Sequence, residues 1–164
     1  MTYHPRSRTR HLGDDFAVSQ LTGGEMARTG EYAMIKKIKH IGVAVDDLQT
    51  ARNFFQEIFD LSASDQENFG ELLFSFIPME GTHLELLQST EPDGQIAKFI
   101  QKRGQGIHHI ALEVDDVQAE LDRLKAKGLT LINEKPYRNA HQELVAFIHP
   151  KSTFGLLIEL IQTD

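Results

Sequence analysis

The sequence predicts an α+β domain built from two tandem copies of one βαβββ module. Two echoes carry this prediction. HIGVAVDDLQ at 40–49 returns as HIALEVDDVQ at 109–118, with six of ten positions identical, and THLELLQ at 82–88 returns as LLIELIQ at 156–162. The echoes keep the same order, at offsets of 69 and 74 residues. This period is longer than that of a solenoid repeat, so the two copies should close on each other as one domain.

The first copy covers about residues 36–90 and begins with a strand. Residues 36–45 alternate between two faces, and one face holds His40 with the small residues Gly42 and Ala44. These small residues leave room for a ligand over the His40 face. The opposite face should pack against a helix and carries the aliphatic side chains of Ile41, Val43 and Val45.

A helix should follow this strand, because Asp46 and Asp47 offer N-caps and apolar residues then recur at helical spacing. These apolar residues are Leu48, Ala51, Phe55 and Ile58. Strands are predicted at 71–77 and 82–88, and a second helix at about 94–103. The apolar face of the second helix holds Ile96, Phe99 and Ile100.

The second copy covers about residues 105–162 and repeats the order of the first. Its helix should end before Gly128. The inward residues of that helix are Val117, Leu121 and Leu124. Strands are predicted at 129–133, 143–149 and 155–161.

Composition limits the classes of function. The chain has 164 residues, 40% hydrophobic and 25% charged, which is typical of a globular domain. No apolar run approaches the ~20 residues of a membrane helix, so we expect no membrane insertion. A net charge of -7 argues against a nucleic-acid partner. The absence of cysteine excludes disulfides and thiolate metal sites, so any metal must be bound by His, Asp, Glu and water.

Residues 1–33 differ from the domain that we expect at 34–164. They are polar and lack periodic hydrophobicity, which predicts a disordered N-terminal extension. Three arginines within the first twelve residues faintly suggest an organelle presequence, although Asp14 and Asp15 weaken that reading. We expect a cytoplasmic location, or the mitochondrial matrix if the source is eukaryotic.

Four residues at equivalent positions of the two copies predict a metal site: His40, Glu85, His109 and Glu159. Both glutamates interrupt apolar strands, where a carboxylate is expensive unless it is paired or metal-bound. Two imidazoles and two carboxylates, brought together by approximate two-fold symmetry, suit one divalent ion with water in its remaining positions. Cobalt, zinc, nickel and manganese all fit such donors, so the identity of the ion stays open.

Other polar residues have less defined roles. We expect His108 on the strand face opposite His109, and His83 on the face of Glu85, near the metal but not bound to it. His149 could hydrogen-bond a loop or touch substrate. Lys98 and Lys102 either form a solvated helix face or contact a phosphate of the substrate.

These motifs resemble the vicinal oxygen chelate, or glyoxalase-type, superfamily, and within it the methylmalonyl-CoA epimerases. The most specific stretches are IAKFIQKRGQGIHHIALEVDD at 96–116 and VAFIHPKSTFGLLIEL at 145–160. The resemblance implies a cupped mixed sheet around a metal, an acyl-CoA thioester substrate and a homodimer. It carries the metal ligands over to His40, His109 and Glu159, with Glu85 at a position that is Gln or Glu in different epimerases.

The implied activity is interconversion of (R)- and (S)-methylmalonyl-CoA, with an α-proton removed and returned through a metal-stabilised enolate. Glu159 and Glu85 are the expected bases, with Glu71 as the substitute for Glu85. Alternatives are glyoxalase I, which uses the same kind of ligand set, and a non-catalytic binding protein of this fold. A third alternative is an epimerase of another acyl-CoA, because the usually Gly-rich pocket loop reads NAHQE at 139–143.

Overall fold

One curled, eight-stranded mixed sheet organises residues 35–163, which are the residues that the computed structural model describes. The elements in chain order are β1 (Ile35–Ala44), α1 (Leu48–Phe59), β2 (Glu67–Phe69), β3 (Leu72–Met79), β4 (Thr82–Ser89), α2 (Gln95–Arg103), β5 (Gly106–Val114), α3 (Val117–Ala126), β6 (Tyr137–Arg138), β7 (Leu144–Ile148) and β8 (Ile158–Gln162). The strand order is β2-β3-β4-β1-β5-β8-β7-β6. Two βαβββ modules therefore exist as expected, with α2 between them; the extension predicted at 1–33 lies outside the described residues.

The two modules meet where β1 pairs antiparallel with β5 at the centre of the sheet. His40 lies opposite Ala111, Ile41 opposite Ile110, and Gly42 opposite His109. In the repeat, His40 corresponds to His109 and Gly42 to Ala111, so a rotation that exchanges the modules also exchanges these pairs. An approximate two-fold axis therefore passes between Ile41 and Ile110.

Each module adds its last strand parallel to its first. β4 lies beside β1 with Glu85 next to Gly42, and β8 lies beside β5 with Glu159 next to Ala111. The four predicted ligands thus fall on the four central strands, two on each side of the axis. Their convergence follows from the register of these strands rather than from any loop.

The helix of each module, α1 or α3, has matching polar contacts at its N-terminus. Asp47 Oδ1 accepts a hydrogen bond from Thr50 N at 2.7 Å, and Asp116 Oδ1 accepts one from Ala119 N at 2.9 Å. A glutamine at the end of each module's last strand reaches the same helix terminus. The side-chain oxygen of Gln88 accepts from the backbone N–H of Leu48 at 2.7 Å, and that of Gln162 accepts from Val117 at 3.1 Å.

The helices cover the sheet with separate apolar clusters. Val45, Ile77 and Leu86 pack with the apolar face of α1, while Val114 and Leu160 pack with that of α3. The inward faces expected for α2 and α3 are confirmed. Among residues 35–163, no helix is long and apolar enough to cross a bilayer.

Ile58 departs from the expected inward face of α1. It is 63% exposed, although its spacing matches that of Leu48 and Phe55. The chain reverses at Asp60, which has a left-handed φ of 55°, and Leu61 then packs against the core beneath α1. Leu61, which lies beyond the helix, therefore joins the apolar cluster of α1, and Ile58 does not.

The strand predicted at 129–133 is wrong. Only Leu131 forms an isolated bridge there, to Ile148. The side-chain oxygen of Asn133 accepts from Phe147 N at 2.9 Å, and so takes a donor that a further strand would need. The short β6 at Tyr137–Arg138 pairs with β7 instead.

Two other boundaries also differ from expectation. The strand β2, at Glu67–Phe69, was not predicted because it has only three residues, which pair with β3. β8 begins at Ile158 rather than 155, because Gly155 N donates to Pro150 O in a turn that delays the strand.

We expect Gln88→Ala to lower the free energy of unfolding by about 1 kcal/mol, because the substitution leaves the Leu48 N–H without its acceptor. Gln49→Ala is the matched control, since Gln49 only makes exposed contacts within α1, and should cost less than about 0.5 kcal/mol. Urea unfolding of metal-free protein measures both. Equal losses in the two variants would contradict a capping role for Gln88.

Candidate metal centre

The four predicted ligands converge at the centre of the sheet. His40 Nε2 lies 3.0 Å from His109 Nε2. Glu159 Oε2 lies 3.0 Å from His40 Nε2 and 3.3 Å from His109 Nε2. Glu85 Oε2 completes the set at 3.4 and 3.5 Å from the same two nitrogens. Within residues 35–163, the donor atoms of His40, His109 and Glu159 all lie within 4.8 Å of one another.

These donors fit a divalent ion. Two atoms that each lie about 2.1 Å from one ion are roughly 3.0 to 3.4 Å apart for octahedral or tetrahedral ligands, close to the separations seen here. His40, His109 and Glu159 are only 6%, 5% and 6% exposed. Burying two imidazoles and two carboxylates together is costly without a cation between them. The chemistry of the donor set therefore matches a bound divalent metal.

The charges within the cluster depend strongly on one another. Burial alone would raise the pKa of Glu159, but hydrogen bonds from His109 and His40 outweigh it and hold the pKa well below its usual range. Burial likewise opposes the charged form of His40, yet the Glu159 hydrogen bond and the charge of Glu85 raise its pKa. Burial raises the pKa of the Glu85 carboxyl. Of the two glutamates, Glu159 therefore keeps its negative charge more readily than Glu85 does.

Gly42 provides the space for the His109 ring. A Cβ atom at this position would stand 2.2 Å from His109 Cε1 and 2.4 Å from Nδ1, far inside van der Waals contact. The equivalent residue of the second module, Ala111, lies opposite His40 and already carries a Cβ. The two imidazoles are thus seated differently, and only His109 needs a glycine across the central strand pair.

The expectation that His108 faces away from His109 is wrong. Between the pairs Gly42–His109 and Val43–Ile107 the register shifts, which makes His108 the extra residue of a β-bulge. Its Nδ1 lies 3.0 Å from His109 Nδ1, and its ring packs edge-on to Phe99 with centroids 5.0 Å apart. Burial lowers the pKa of His108 to about 4, so its imidazole is neutral at physiological pH.

A chamber of about 480 Å³ opens in front of the four ligands. One wall is apolar and comes from β2, β3 and β4; it includes Phe69, Leu72, Phe74, Phe76 and Leu87. The facing wall is more polar and includes Tyr137, Asn139, His141 and Glu143. A chamber with one apolar wall and one polar wall beside a candidate metal site suits a small organic substrate.

The loop at 139–143 closes one side of this chamber. Asn139 Oδ1 accepts from His141 N at 3.0 Å and from Glu143 N at 2.9 Å, so the asparagine side chain shapes the loop. His141 Nε2 reaches across to Glu67 Oε2 of the first module at 2.7 Å. Sequence reasoning singled out this loop as unusual but missed the contact, because the strand that carries Glu67 is too short to recognise.

The remaining expected residues lie in different places. His83 lines the chamber, as expected, and its Nδ1 is buried without a hydrogen-bond partner among the described residues. Glu71 accepts a hydrogen bond from Gln95 N at the start of α2 and is not among the chamber residues. His149 accepts from Lys151 N at 3.1 Å, which confirms its loop contact. Lys98 and Lys102 are exposed on α2, and their phosphate contact stays a prediction.

Comparison with known proteins shows which superfamily and which enzymes this chain is similar to. A model of the glyoxalase, bleomycin resistance protein and dioxygenase superfamily matches residues 39–147. The chain is 35% identical over 137 residues to the mitochondrial methylmalonyl-CoA epimerase of Homo sapiens, covering 82% of this chain and 78% of that protein. It is 35% identical over 133 residues to an ethylmalonyl-CoA/methylmalonyl-CoA epimerase of Cereibacter sphaeroides, covering 79% of this chain and 99% of that protein.

Solved structures agree with these relatives. A methylmalonyl-CoA epimerase in complex with methylmalonyl-CoA and NH4+ has a TM-score of 0.73 at 27% identity, covering 80% of this chain and 96% of that one. The crystal structure of methylmalonyl-CoA epimerase from Mycobacterium tuberculosis has a TM-score of 0.75 at 28% identity, covering 84% and 94%. The fold expected from the sequence is therefore confirmed.

We expect Gly42→Ala to weaken metal binding at least tenfold, because the new Cβ displaces the His109 ring from its seat. Ala111→Gly is the matched control at the equivalent position, and it should leave the metal Kd within about threefold of wild type. Competition titration of Co²⁺ or Zn²⁺ against a chromophoric chelator measures both. Wild-type affinity in Gly42→Ala would show that His109 is not positioned by this contact.

Proposed function

Because this chain belongs to the methylmalonyl-CoA epimerase family of the glyoxalase superfamily, we propose that it interconverts (R)- and (S)-methylmalonyl-CoA. The observation that carries the proposal is the His40–Glu85–His109–Glu159 cluster at the base of a chamber with one apolar wall. An α-proton of a thioester is a weak acid, so its removal requires a base and a way to stabilise the resulting enolate. The chamber contains the groups for both tasks.

His40, Glu85, His109 and Glu159 would hold one divalent ion. When bound, such an ion supplies a Lewis acid that stabilises negative charge on the thioester oxygen. Cobalt, zinc, nickel and manganese are the proposed choices, because imidazole and carboxylate donors accept each of them. The apolar wall at Phe74 and Phe76 excludes water from the acyl group and strengthens the electrostatic contribution of the ligands.

Glu159 is the proposed base that removes the α-proton. It is buried, and its Oε2 lies 3.0 Å from His40 Nε2 and 3.3 Å from His109 Nε2, so its position is fixed beside the two imidazoles. Glu85 is the proposed partner that returns a proton to the opposite face of the planar enolate. The two carboxylates come from strands on opposite sides of the two-fold axis, which lets them approach the substrate from different directions.

The acyl group, oligomer and compartment are finer proposals. The relative from Cereibacter sphaeroides is named for both ethylmalonyl-CoA and methylmalonyl-CoA, so a larger acyl group belongs in the assay panel. We propose a homodimer, and exposed apolar residues of α1 offer area for such a contact: Phe54 at 51%, Ile58 at 63% and Phe59 at 56%. A cytoplasmic or mitochondrial matrix location stays a prediction.

The wild-type protein loaded with Co²⁺ should interconvert the epimers of methylmalonyl-CoA and exchange the α-proton with deuterated water. A chelator should abolish both reactions, and added Co²⁺ should restore them. Proton NMR follows exchange, and a stereospecific coupled assay follows epimerisation. Turnover of the glutathione–methylglyoxal hemithioacetal, without exchange of any acyl-CoA, would instead identify a glyoxalase I.

Glu159→Gln should lower the rate of epimerisation by about 10²-fold or more, because the amide can neither accept nor return a proton on its face of the enolate. Metal content should be measured on the same sample, so that loss of the base is separated from loss of the ion. Gln118→Ala, on the exposed face of α3, is the control and should keep wild-type rates. A normal rate of epimerisation in metal-loaded Glu159→Gln would rule out Glu159 as one of the two bases.

A further inference from the structure

The two nitrogens of the His109 ring have separate partners. Nε2 faces His40, Glu85 and Glu159, whereas Nδ1 lies 3.0 Å from Nδ1 of His108. We propose that His108 is a positioning residue that accepts a hydrogen bond from His109 Nδ1–H and thereby fixes the tautomer in which the Nε2 lone pair is free for metal. The inference rests on the metal site of the proposed function.

The direction of this hydrogen bond follows from the ligand role of His109. A neutral imidazole has one N–H and one lone pair, so a lone pair at Nε2 places the proton on Nδ1. The partner of Nδ1 must then be an acceptor, and the His108 Nδ1 lone pair is the group at hydrogen-bond distance. Metal-binding histidines commonly have their second nitrogen held in this way, which fixes the ring and raises its basicity.

The backbone is arranged to make this contact. Consecutive residues of a regular strand point to opposite faces, so His108 and His109 could not normally meet. The bulge at His108 turns both rings to the same side of β5, with an angle of 88° between their planes. Phe99 of α2 packs edge-on against the His108 ring, with ring centroids 5.0 Å apart, and so restrains the orientation of that ring.

The first module has no equivalent acceptor. Lys39 precedes His40 in the repeat as His108 precedes His109, and an ammonium group can only donate hydrogen bonds. Lys39 instead lies 3.8 Å from Glu113 and 4.0 Å from Glu143. A register shift between the pairs Ile38–Leu112 and His40–Ala111 makes Lys39 the extra residue of a bulge as well. Both modules therefore have the bulge, but only the second module places an acceptor there.

Two substitutions separate hydrogen bonding from packing. His108→Leu introduces an apolar side chain of similar bulk that cannot accept a hydrogen bond. It should raise the Kd for Zn²⁺ or Co²⁺ about 10- to 100-fold. His108→Asn places an amide oxygen near the original Nδ1 and should stay within about threefold of wild type. Ile107→Ala, beside the bulge and 60% exposed, controls for disturbance of the backbone and should bind as wild type.

Imidazole NMR supplies a readout that a packing role would not move. In ¹⁵N-labelled, Zn²⁺-loaded wild-type protein, His109 should show a protonated Nδ1 with a slowly exchanging hydrogen. His108→Leu should lose this slow exchange, and His108→Asn should keep it. Wild-type affinity and slow exchange in His108→Leu would overturn the proposal, as would an Asn variant as weak as the Leu variant with the same melting temperature.

Neither measurement needs substrate. A protein that shows the expected metal affinities but no epimerisation supports the role of His108 while rejecting the proposed activity. A protein that epimerises methylmalonyl-CoA with equal metal affinity in wild type and His108→Leu rejects only the role of His108. Wild-type protein that binds neither metal overturns the inference itself.

Discussion

The antiparallel pairing of β1 with β5 is the constraint on which the rest of the molecule depends. Its register places His40 opposite Ala111 and His109 opposite Gly42, so the two imidazoles project side by side from neighbouring strands. A shift of one residue would turn one of them to the helix face of the sheet. The parallel additions of β4 and β8 then place a glutamate beside each histidine strand, without any contribution from loops.

Such a centre is costly for a protein without its ion. Burial raises the pKa of Glu85, and the charge of Glu159 adds to this effect. At Glu159, hydrogen bonds from His109 and His40 outweigh burial and lower the pKa. A divalent cation resolves this imbalance because it interacts favourably with all four donors at once. The surrounding sheet therefore holds the four donors within reach of one divalent ion.

Much of this was predictable from sequence because the repeat is carried by residues with strict positional roles. Asp47 and Asp116 cap helices, and Gln88 and Gln162 reach the same helix starts from the ends of β4 and β8, so both echoes persist for structural as well as chemical reasons. Periodicity failed where side chains replace the backbone ladder, as Asn133 does beside β7. It also failed at His108, because a bulge changes the direction of side chains without changing composition.

The differences between the modules indicate how a symmetric fold can support an asymmetric task. The shared residues build the four-donor centre, which has no preferred side. Gly42 against Ala111, and His108 against Lys39, then distinguish the two histidines, and the 139–143 loop closes the chamber by joining His141 to Glu67 of the opposite module. A substrate with two epimers would meet donors that the two-fold axis relates to each other, but chamber walls that differ between the two modules. The four-donor centre therefore follows from what the copies share, and the shape of the chamber from where they diverge.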